Sequence, residues 1–297
     1  MPILFALVGA TGIGKTELSL SLAERHDAEI ISVDSRQIYQ GFSIGTAQPA
    51  ASELAQVKHH LVNFLEPTKT YSAGAFCKDV KKLLAENPEQ NYILVGGTGL
   101  YLQALTLGLP EMPAIDGSIR KALEKQYAEE GYERLRQEAM LVDPEATTPI
   151  PENNVHRIMR VLEVWKATGK KFSELQKQRV GGIGTIKAYH LQRSREILYK
   201  RINERVDQMM KNGWLDECVH LSKIVPMDAP AWQSLGYREL LDSQNNGENI
   251  LSVIDTVKQK TRNYAKRQLT WFRWQMESEP VNLDDPTDIA AHFPELN

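Results

Sequence analysis

Three things are scarce in this sequence: cysteines, long apolar runs and an excess charge of either sign. Its only two cysteines, Cys77 and Cys218, stand far apart and provide neither a disulfide framework nor a set of zinc ligands. No apolar run reaches the roughly 20 residues of a membrane-spanning helix. The apolar first ten residues lack the basic start of a signal peptide. We therefore expect reduced thiols, a cytoplasmic location and no membrane partner.

The net charge is only −3, so no overall basic field attracts a polyanion, and local clusters must be considered instead. With 42% apolar and 25% charged residues, the 297-residue chain has the composition of a folded globular protein. Its length accommodates one large domain, or a core domain with an insertion.

The first 107 residues alternate short apolar runs with amphipathic segments. We predict strands at residues 3–8, 29–33, 60–64 and 92–95, and helices at 17–26, 72–84 and 100–107, with Ser72 as an N-cap. Such alternation is typical of an α/β fold, in which helices cover both faces of a parallel sheet.

A different pattern begins after Pro110. Helical spacing predicts helices at residues 119–129, 131–142, 155–168 and 172–177, with no strand-like run between them, and residues 111–113 are a candidate linker. After a flexible glycine segment at 181–184, helical periodicity returns at 196–212 and 249–275. We predict an all-helical insertion domain (113–190) between the two parts of a core domain (1–112 and 191–297).

The N-terminal glycine-rich turn matches the phosphate-binding pattern G-x-x-x-x-G-K-[ST] and lies between a predicted strand and helix. Its residues are Gly9, Ala10, Thr11, Gly12, Ile13, Gly14, Lys15 and Thr16. Backbone N–H groups, the helix N-terminus and the Lys15 charge would hold phosphate oxygens, while the Thr16 hydroxyl suits phosphate or Mg²⁺. The pattern most often binds nucleoside triphosphates, but a diphosphate ester presents the same oxygens.

Asp34 and Thr98 follow two predicted strands at their carboxyl ends, where parallel sheets bind ligands. Asp34 could hold Mg²⁺ as in a kinase, act as a general base, or simply cap a turn. Thr98 could bind a reacting group or cap the next helix. Close to Asp34, the Gln37 amide offers the donor and acceptor that suit the edge of a nucleobase.

A basic segment at residues 258–274 contains six cations, no acidic residue and four aromatic residues. Cations neutralise phosphates and aromatic rings stack on bases, so the segment indicates nucleic-acid binding, unless it is an amphipathic helix with its aromatics in the core. Two smaller basic clusters are also present: His156, Arg157 and Arg160, and Arg193, Arg195, Arg201 and Arg205.

Motifs along nearly the whole chain resemble those of the tRNA dimethylallyltransferases, also called tRNA isopentenyltransferases. The similar segments are residues 9–16, 31–39, 44–47, 59–61, 71–74, 94–102, 157–160, 162–163, 201–202, 205–207, 235–237 and 261–268. His156 departs from the Gln of many members, and Ser234 precedes Leu235 where Ala-Ile is more usual. The chain lacks the C-terminal zinc finger of eukaryotic members, so the resemblance is to the bacterial type.

The resemblance implies a P-loop NTPase-like fold and transfer of a dimethylallyl group from dimethylallyl diphosphate to the N6 amine of the adenosine 3′ to the anticodon. Residues 9–16 would hold the diphosphate with Mg²⁺ at Thr16, Asp34 would accept a proton, and Thr98 would position the amine. Arg201, or alternatively Arg195 or Arg205, would neutralise the departing pyrophosphate. The implied contacts to the tRNA anticodon loop are Asp34, Ser35, Arg36, Gln37, Thr98, Arg120, His156, Arg157, Ile158, Met159, Arg160, Lys266 and Arg267. A monomer suffices for this chemistry.

Three other readings stay open. The first is an enzyme that prenylates free adenine nucleotides, which would not need the basic segment. The second is a P-loop kinase or NTPase for a small molecule. The third is a nucleotide-regulated RNA-binding module without catalysis, against which the presence of Asp34 and Thr98 argues.

Overall fold

The computed structural model describes residues 2–112 and 115–296, and it divides the chain into two compact units. The first unit, here called the sheet unit, combines residues 1–103 with 185–297, and the second, the helical unit, consists of residues 104–184. The predicted domain boundary at residue 113 lies outside the described residues. The predicted end of the insertion at residue 190 is wrong, because residues 187–190 belong to the central sheet.

The strands, in chain order, are β1 (Leu4–Val8), β2 (Ala28–Val33), β3 (His59–His60), β4 (Asn91–Gly96), β5 (Leu109–Pro110), β6 (Arg179–Val180), β7 (Lys187–Gln192) and β8 (Glu279–Asn282). Six of them form one sheet in the order β3-β2-β4-β1-β7-β8, and all of its pairings are parallel. Four of these strands were expected, although β3 is shorter than the predicted 60–64. β7 and β8 were not predicted.

The helices are α1 (Lys15–Arg25), α2 (Ala51–Gln56), α3 (Ala73–Glu86), α4 (Gly99–Leu107), α5 (Gly117–Val142), α6 (Pro144–Thr147), α7 (Val155–Thr168), α8 (Phe172–Lys177), α9 (Arg195–Lys211), α10 (Trp214–Ser222), α11 (Tyr237–Asn246), α12 (Ile250–Gln275) and α13 (Pro286–His292). Every predicted helix is present. Ser72 caps α3 as expected, because its side chain accepts the Ala75 N–H. Among the described residues, none of these helices is both long and apolar enough to span a membrane.

The central strand β1 organises the core of the sheet unit. Ala6 pairs with Leu94 of β4 on one side and with Ala188 of β7 on the other, so β1 is covered along both edges. Parallel strands buried in this way read as continuous apolar runs, which is why the sequence signalled β1 clearly. The carboxyl ends of β1, β2 and β4 meet at one edge of the sheet, where Gly9, Asp34 and Gly97 follow them.

The helical unit has its own apolar cluster, built around Leu123, Leu135, Ile158 and Leu162. Helix α5 is interrupted at Gly131, whose φ of 80° and ψ of 179° are not helical, as expected from the predicted division between two helices. The expectation of an all-helical segment is wrong in one detail. Strands β5 and β6 form a short antiparallel pair, in which Leu109 lies opposite Val180.

Candidate active site

The phosphate-binding turn lies between β1 and α1, as the motif predicts. Its glycines adopt backbone angles that other residues rarely take, with φ of 79° at Gly12 and 112° at Gly14. Gly14 occupies the N-cap of α1 without a side-chain cap, so the first N–H groups of the helix are left for an anion. The Lys15 amine donates to the carbonyl oxygens of Gly9 (3.0 Å) and Ala10 (2.8 Å) and thereby lies inside the turn.

Burial lowers the pKa of the Lys15 amine from 10.5 to about 8. The negative charge of Asp34 opposes this shift, and the positive charge of Arg205 adds to it. A buried cation in a turn that presents N–H groups is poised to receive an anion, because the incoming negative charge compensates for the lost hydration. The electrostatics therefore agree with a phosphate ligand.

Three arginines surround the turn. Arg193 Nε donates to the Ile13 carbonyl (2.8 Å), Arg201 Nε to the Gly12 carbonyl (3.0 Å), and Arg205 Nη1 to the Thr11 hydroxyl (3.1 Å). Arg195, the remaining candidate from the sequence, lies over the Tyr199 ring at 5.1 Å instead. Of the three proposed pyrophosphate arginines, Arg201 and Arg205 are thus beside the turn. Arg193 was named in the same basic cluster, but its contact with the turn was not predicted, because β7 before it was not recognised as a strand.

Asp34 begins the segment after β2 and uses one oxygen to shape it. Its Oδ1 accepts the backbone N–H groups of Arg36 (2.7 Å) and Gln37 (3.3 Å), which is the turn-capping role considered above. Within the described residues, no hydrogen bond engages Oδ2. The carboxylate therefore caps its turn and still presents an oxygen that can accept a proton.

Thr98 is joined directly to the Asp34 segment. Its N–H donates to the Val33 carbonyl (3.1 Å), and its hydroxyl oxygen accepts the Ser35 N–H (3.1 Å). A hydroxyl that accepts one hydrogen bond can still donate another to a ligand. Asp34 and Thr98, which the sequence analysis assigned to the amine that accepts the transferred group, therefore belong to one structural feature. It is here called the acceptor turn (residues 34–37 with Thr98).

Gln37 has both ends of its amide engaged. Nε2 donates to the Ala47 carbonyl (2.7 Å), and Oε1 accepts the Ser32 hydroxyl at 3.1 Å. These contacts hold the loop around Ala47 against β2. A base that bonds to the Gln37 amide must replace or share them, so adenine recognition by Gln37 stays a prediction.

Gln268 ends the segment 261–268 that resembles the family's motifs, but no role was predicted for it. It lies on α12 with only 7% of its surface exposed, and its Oε1 accepts the Thr11 N–H at 2.9 Å. Its Nε2 donates to the Gly97 carbonyl, also at 2.9 Å. Its partners are 257 and 171 positions away along the chain, so the motif that contains it does not show which groups it contacts.

A cavity of about 980 Å³ is lined by many of these groups, although not by Thr98 or Arg193. Its lining includes the turn from Thr11 to Thr16, Asp34, Arg201, Arg205 and Gln268, together with the apolar side chains of Val206, Met209, Trp214, Leu235 and Tyr264. Polar and charged side chains line much of the cavity beside these apolar ones, and its size lies in the range of small-molecule sites. It can hold both an anionic group and an apolar group.

The residues predicted to contact tRNA fall into two kinds. In the helical unit, Arg157 is exposed, whereas Arg120 and Arg160 pair with Glu163 at 2.8 and 3.2 Å and Arg120 also contacts His156 (3.1 Å). Ile158 and Met159 are buried in the apolar core, so the prediction that they contact tRNA is corrected: their side chains pack the unit instead.

On α12 of the sheet unit, Lys266 and Arg267 are exposed, as the predicted contacts require. The basic segment was expected either to stack its aromatic rings on bases or to pack them in the core, and its aromatic residues divide between these two arrangements. Phe272 is fully buried and Trp271 packs over Gly99, while Trp274 is 73% exposed. The helix therefore serves the core with one face and presents cations on another.

A parallel α/β sheet whose first strand leads into a glycine-rich, lysine-containing turn defines a P-loop type of phosphate-binding protein. Residues 37–275 match the family model described as IPP transferase. A tRNA dimethylallyltransferase from Fusobacterium nucleatum is 42% identical and aligns with 94% of this chain and 91% of its own. One from Geobacillus thermodenitrificans is 40% identical over 98% and 93%.

The solved structures agree. The full-length tRNA isopentenylpyrophosphate transferase from Bacillus halodurans superposes with a TM-score of 0.71 at 34% identity, covering 100% of this chain and 98% of the other. The chain belongs to the tRNA dimethylallyltransferase family, as the resemblance indicated. The family model begins after the P-loop and Asp34, but the aligned relatives extend over nearly the whole chain.

Proposed function

We propose that this protein transfers a dimethylallyl group from dimethylallyl diphosphate to the N6 amine of the adenosine 3′-adjacent to the anticodon in tRNA and releases pyrophosphate. The observation that carries the proposal is the placement of Asp34 in the same cavity as the P-loop: an anion cradle and a free carboxylate oxygen serve one reaction space. The curated relatives bear the name of this activity.

Leaving-group stabilisation is the main task on the diphosphate side. The new N–C bond forms as the C–O bond to diphosphate breaks, and the electron pair of that bond goes to the diphosphate oxygen. This charge is neutralised by Lys15, Arg201, Arg205 and the N–H groups of the turn. Preorganised donors of this kind make the largest contribution to the rate enhancement of many enzymes.

Nucleophile activation falls to the acceptor turn. An aromatic amine is a weak nucleophile, so holding it in line with the reacting carbon matters more than its basicity. The Thr98 hydroxyl would orient the amine, and Asp34 Oδ2 would take the proton that the amine loses as it becomes alkylated.

Mg²⁺ suits the donors at the start of α1. Thr16 offers one exposed hydroxyl oxygen there, and the described residues contain no group of three acidic, histidine or cysteine side chains that could hold a metal by themselves. Mg²⁺ usually retains several waters and takes phosphate oxygens as ligands, which agrees with so sparse a protein contribution. When bound, it would neutralise diphosphate charge beside Lys15.

Access to the adenosine requires that the base leave its stack, and a single-stranded anticodon loop makes this inexpensive. Arg120, His156, Arg157 and Arg160 of the helical unit, and Lys266 and Arg267 of α12, would contact the phosphates. In this scheme, one copy of the chain acts alone, in the cytoplasm and without a membrane.

One assay separates this function from the alternatives. The protein is incubated with labelled dimethylallyl diphosphate and Mg²⁺, together with either unmodified tRNA or AMP. We expect label in tRNA, and a tRNA with guanosine at the target position serves as the control. Label on AMP alone would establish the nucleotide prenyltransferase, and ATP hydrolysis without prenyl transfer would establish the kinase or NTPase.

A further inference from the structure

The Gln268 carboxamide bonds to two loops. In the proposed reaction, one loop binds the diphosphate and the other carries Thr98, which orients the amine. Through Oε1 it receives the N–H of Thr11, in the diphosphate-binding turn, and through Nε2 it donates to the carbonyl of Gly97. Gly97 directly precedes Thr98, which is part of the acceptor turn. A single side chain therefore spans the leaving-group side and the nucleophile side.

Each loop is also held independently of Gln268. Lys15 and Arg205 bind the diphosphate-binding turn through the Ala10 carbonyl and the Thr11 hydroxyl. Thr98 is fixed to the end of β2 through its N–H and to Ser35 through its hydroxyl. Because both loops have their own supports, the distinctive contribution of Gln268 is to their relative position.

The chemistry of the amide matches this place. One end must accept and the other must donate, so Gln satisfies both backbone groups in only one orientation and is specified by them. A Cβ at Gly97 would collide with the Gln268 amide nitrogen, which shows how closely the amide approaches the backbone. The Gly97 carbonyl could not be left unpaired cheaply, because its bond to Gln268 is buried.

We propose that Gln268 is a positioning residue for prenyl transfer, which sets the spacing between the diphosphate-binding turn and Thr98. The inference rests on the proposed function. In a displacement reaction the attacking nitrogen, the carbon and the leaving oxygen must be in line, and a misplacement of about 1 Å can reduce the rate about 10²-fold. Gln268 touches the backbones that hold these groups rather than the reacting atoms.

The test compares Gln268→Met, which keeps the length and removes both hydrogen bonds, with wild type in single-turnover transfer at saturating dimethylallyl diphosphate and tRNA. We expect the rate constant to fall by about tenfold or more, while the Kd of the diphosphate changes by less than about threefold. Gln244→Met, at an exposed site on α11, is the matched control and should behave as wild type.

A double-mutant cycle with Thr98→Val shows whether Gln268 acts through Thr98. We expect the double variant to be much less impaired than the product of the two single effects, since both changes disturb the same alignment. Multiplicative effects would overturn the proposal. So would an unchanged single-turnover rate in Gln268→Met, or a loss of diphosphate affinity as large as the loss of rate.

Gln268→Glu keeps the test decisive if Gln268→Met does not fold. Its carboxylate still accepts the Thr11 N–H but can donate to the Gly97 carbonyl only when protonated, and burial raises the pKa of such a group. We expect its rate, relative to wild type, to rise as the pH falls. If the pH profiles of Gln268→Glu and wild type were parallel, the inference would be overturned. Absence of transfer by the wild-type protein would instead reject the proposed function.

Discussion

The charge of Lys15 depends on pH because its amine is buried in the turn. Burial lowers the pKa of its amine to about 8, so in the free protein it is charged below this pH and loses its proton above it. A bound diphosphate favours the charged form. The affinity for diphosphate should therefore be constant below about pH 8 and fall above it, by up to about tenfold per pH unit.

The measurement is competition of inorganic pyrophosphate for the site as a function of pH. Lys15→Arg is the control, because the guanidinium stays charged over the whole range while the titration of pyrophosphate itself is the same. Parallel affinity curves for the two proteins above pH 8 would show that Lys15 does not titrate there.

Asp34 has two oxygens with separate tasks, and Asp34→Asn separates them. The amide oxygen still accepts the backbone N–H groups of Arg36 and Gln37, so the turn is retained, but the group can no longer accept a proton. We expect the single-turnover rate to fall by about 10²-fold or more, with little change in diphosphate affinity. Binding titration and rapid-quench kinetics measure the two effects. An equal loss of both would identify Asp34 as a metal ligand.

Individual site residues differed in how visible they were in the sequence. The phosphate-binding turn was recognisable because all of its donors lie within eight consecutive positions, and Asp34 and Thr98 because each follows a strongly apolar strand. Gln268 lies in a segment that resembles the family's motifs, but its contacts with residues of the N-terminal third could not be predicted from that segment. Ile158 and Met159 lie within a basic motif, but the helical period turns them into the core.

Strand β4 lies close against the backbone of β2 at Gly96, just before the loop that carries Thr98. A Cβ at Gly96 would overlap the carbonyl group of Val33, which is backbone and cannot rotate away. We expect Gly96→Ala to lower the free energy of unfolding by about 1–3 kcal/mol or more and to slow transfer, since the end of β2 that carries Asp34 must move. Urea denaturation measures the first effect.

Gly117→Ala is the matched control for that substitution. Gly117 begins α5, and a Cβ there would meet no atom within 4 Å among the described residues. Ala at this position should leave stability unchanged or raise it by up to about 1 kcal/mol. If the two variants were equally stable, the close approach of β2 and β4 at Gly96 would not be a constraint.

At the level of elements, apolar strands and long amphipathic helices were predictable, but the last strands of the sheet were not. β7 contains Lys187, His190 and Gln192 and therefore lacks a continuous apolar run. It is a strand because β1 offers it an unpaired edge, which is a tertiary condition. By contrast, the interruption of α5 was foreseeable, since Gly131 stands between two periodic segments.

The whole molecule has a net charge of −3, so attraction for tRNA must come from local cations. Within the described part of the helical unit, Arg157 is exposed and takes part in no ion pair, unlike Arg120 and Arg160. We expect Arg157→Ala to weaken binding of all tRNA sequences similarly and to reduce the slope of log K against log salt by about one. Filter binding at several salt concentrations measures this slope.

Arg134→Ala provides the comparison for Arg157→Ala. Arg134 is an exposed arginine of the same unit, but it is paired with Glu130 at 3.2 Å. Its removal should leave the salt slope unchanged. Equal slopes for wild type and Arg157→Ala would place the phosphate contacts elsewhere.

The strand order has a consequence for how the protein is made. β1 is synthesised long before its neighbour β7, which consists of residues 187–192, and Gln268 follows later still. Because translation takes seconds for such a stretch, β1 waits with one edge open while the helical unit is being made. The N-terminal turn of the nascent chain therefore lacks its contact with Gln268 until that residue has emerged.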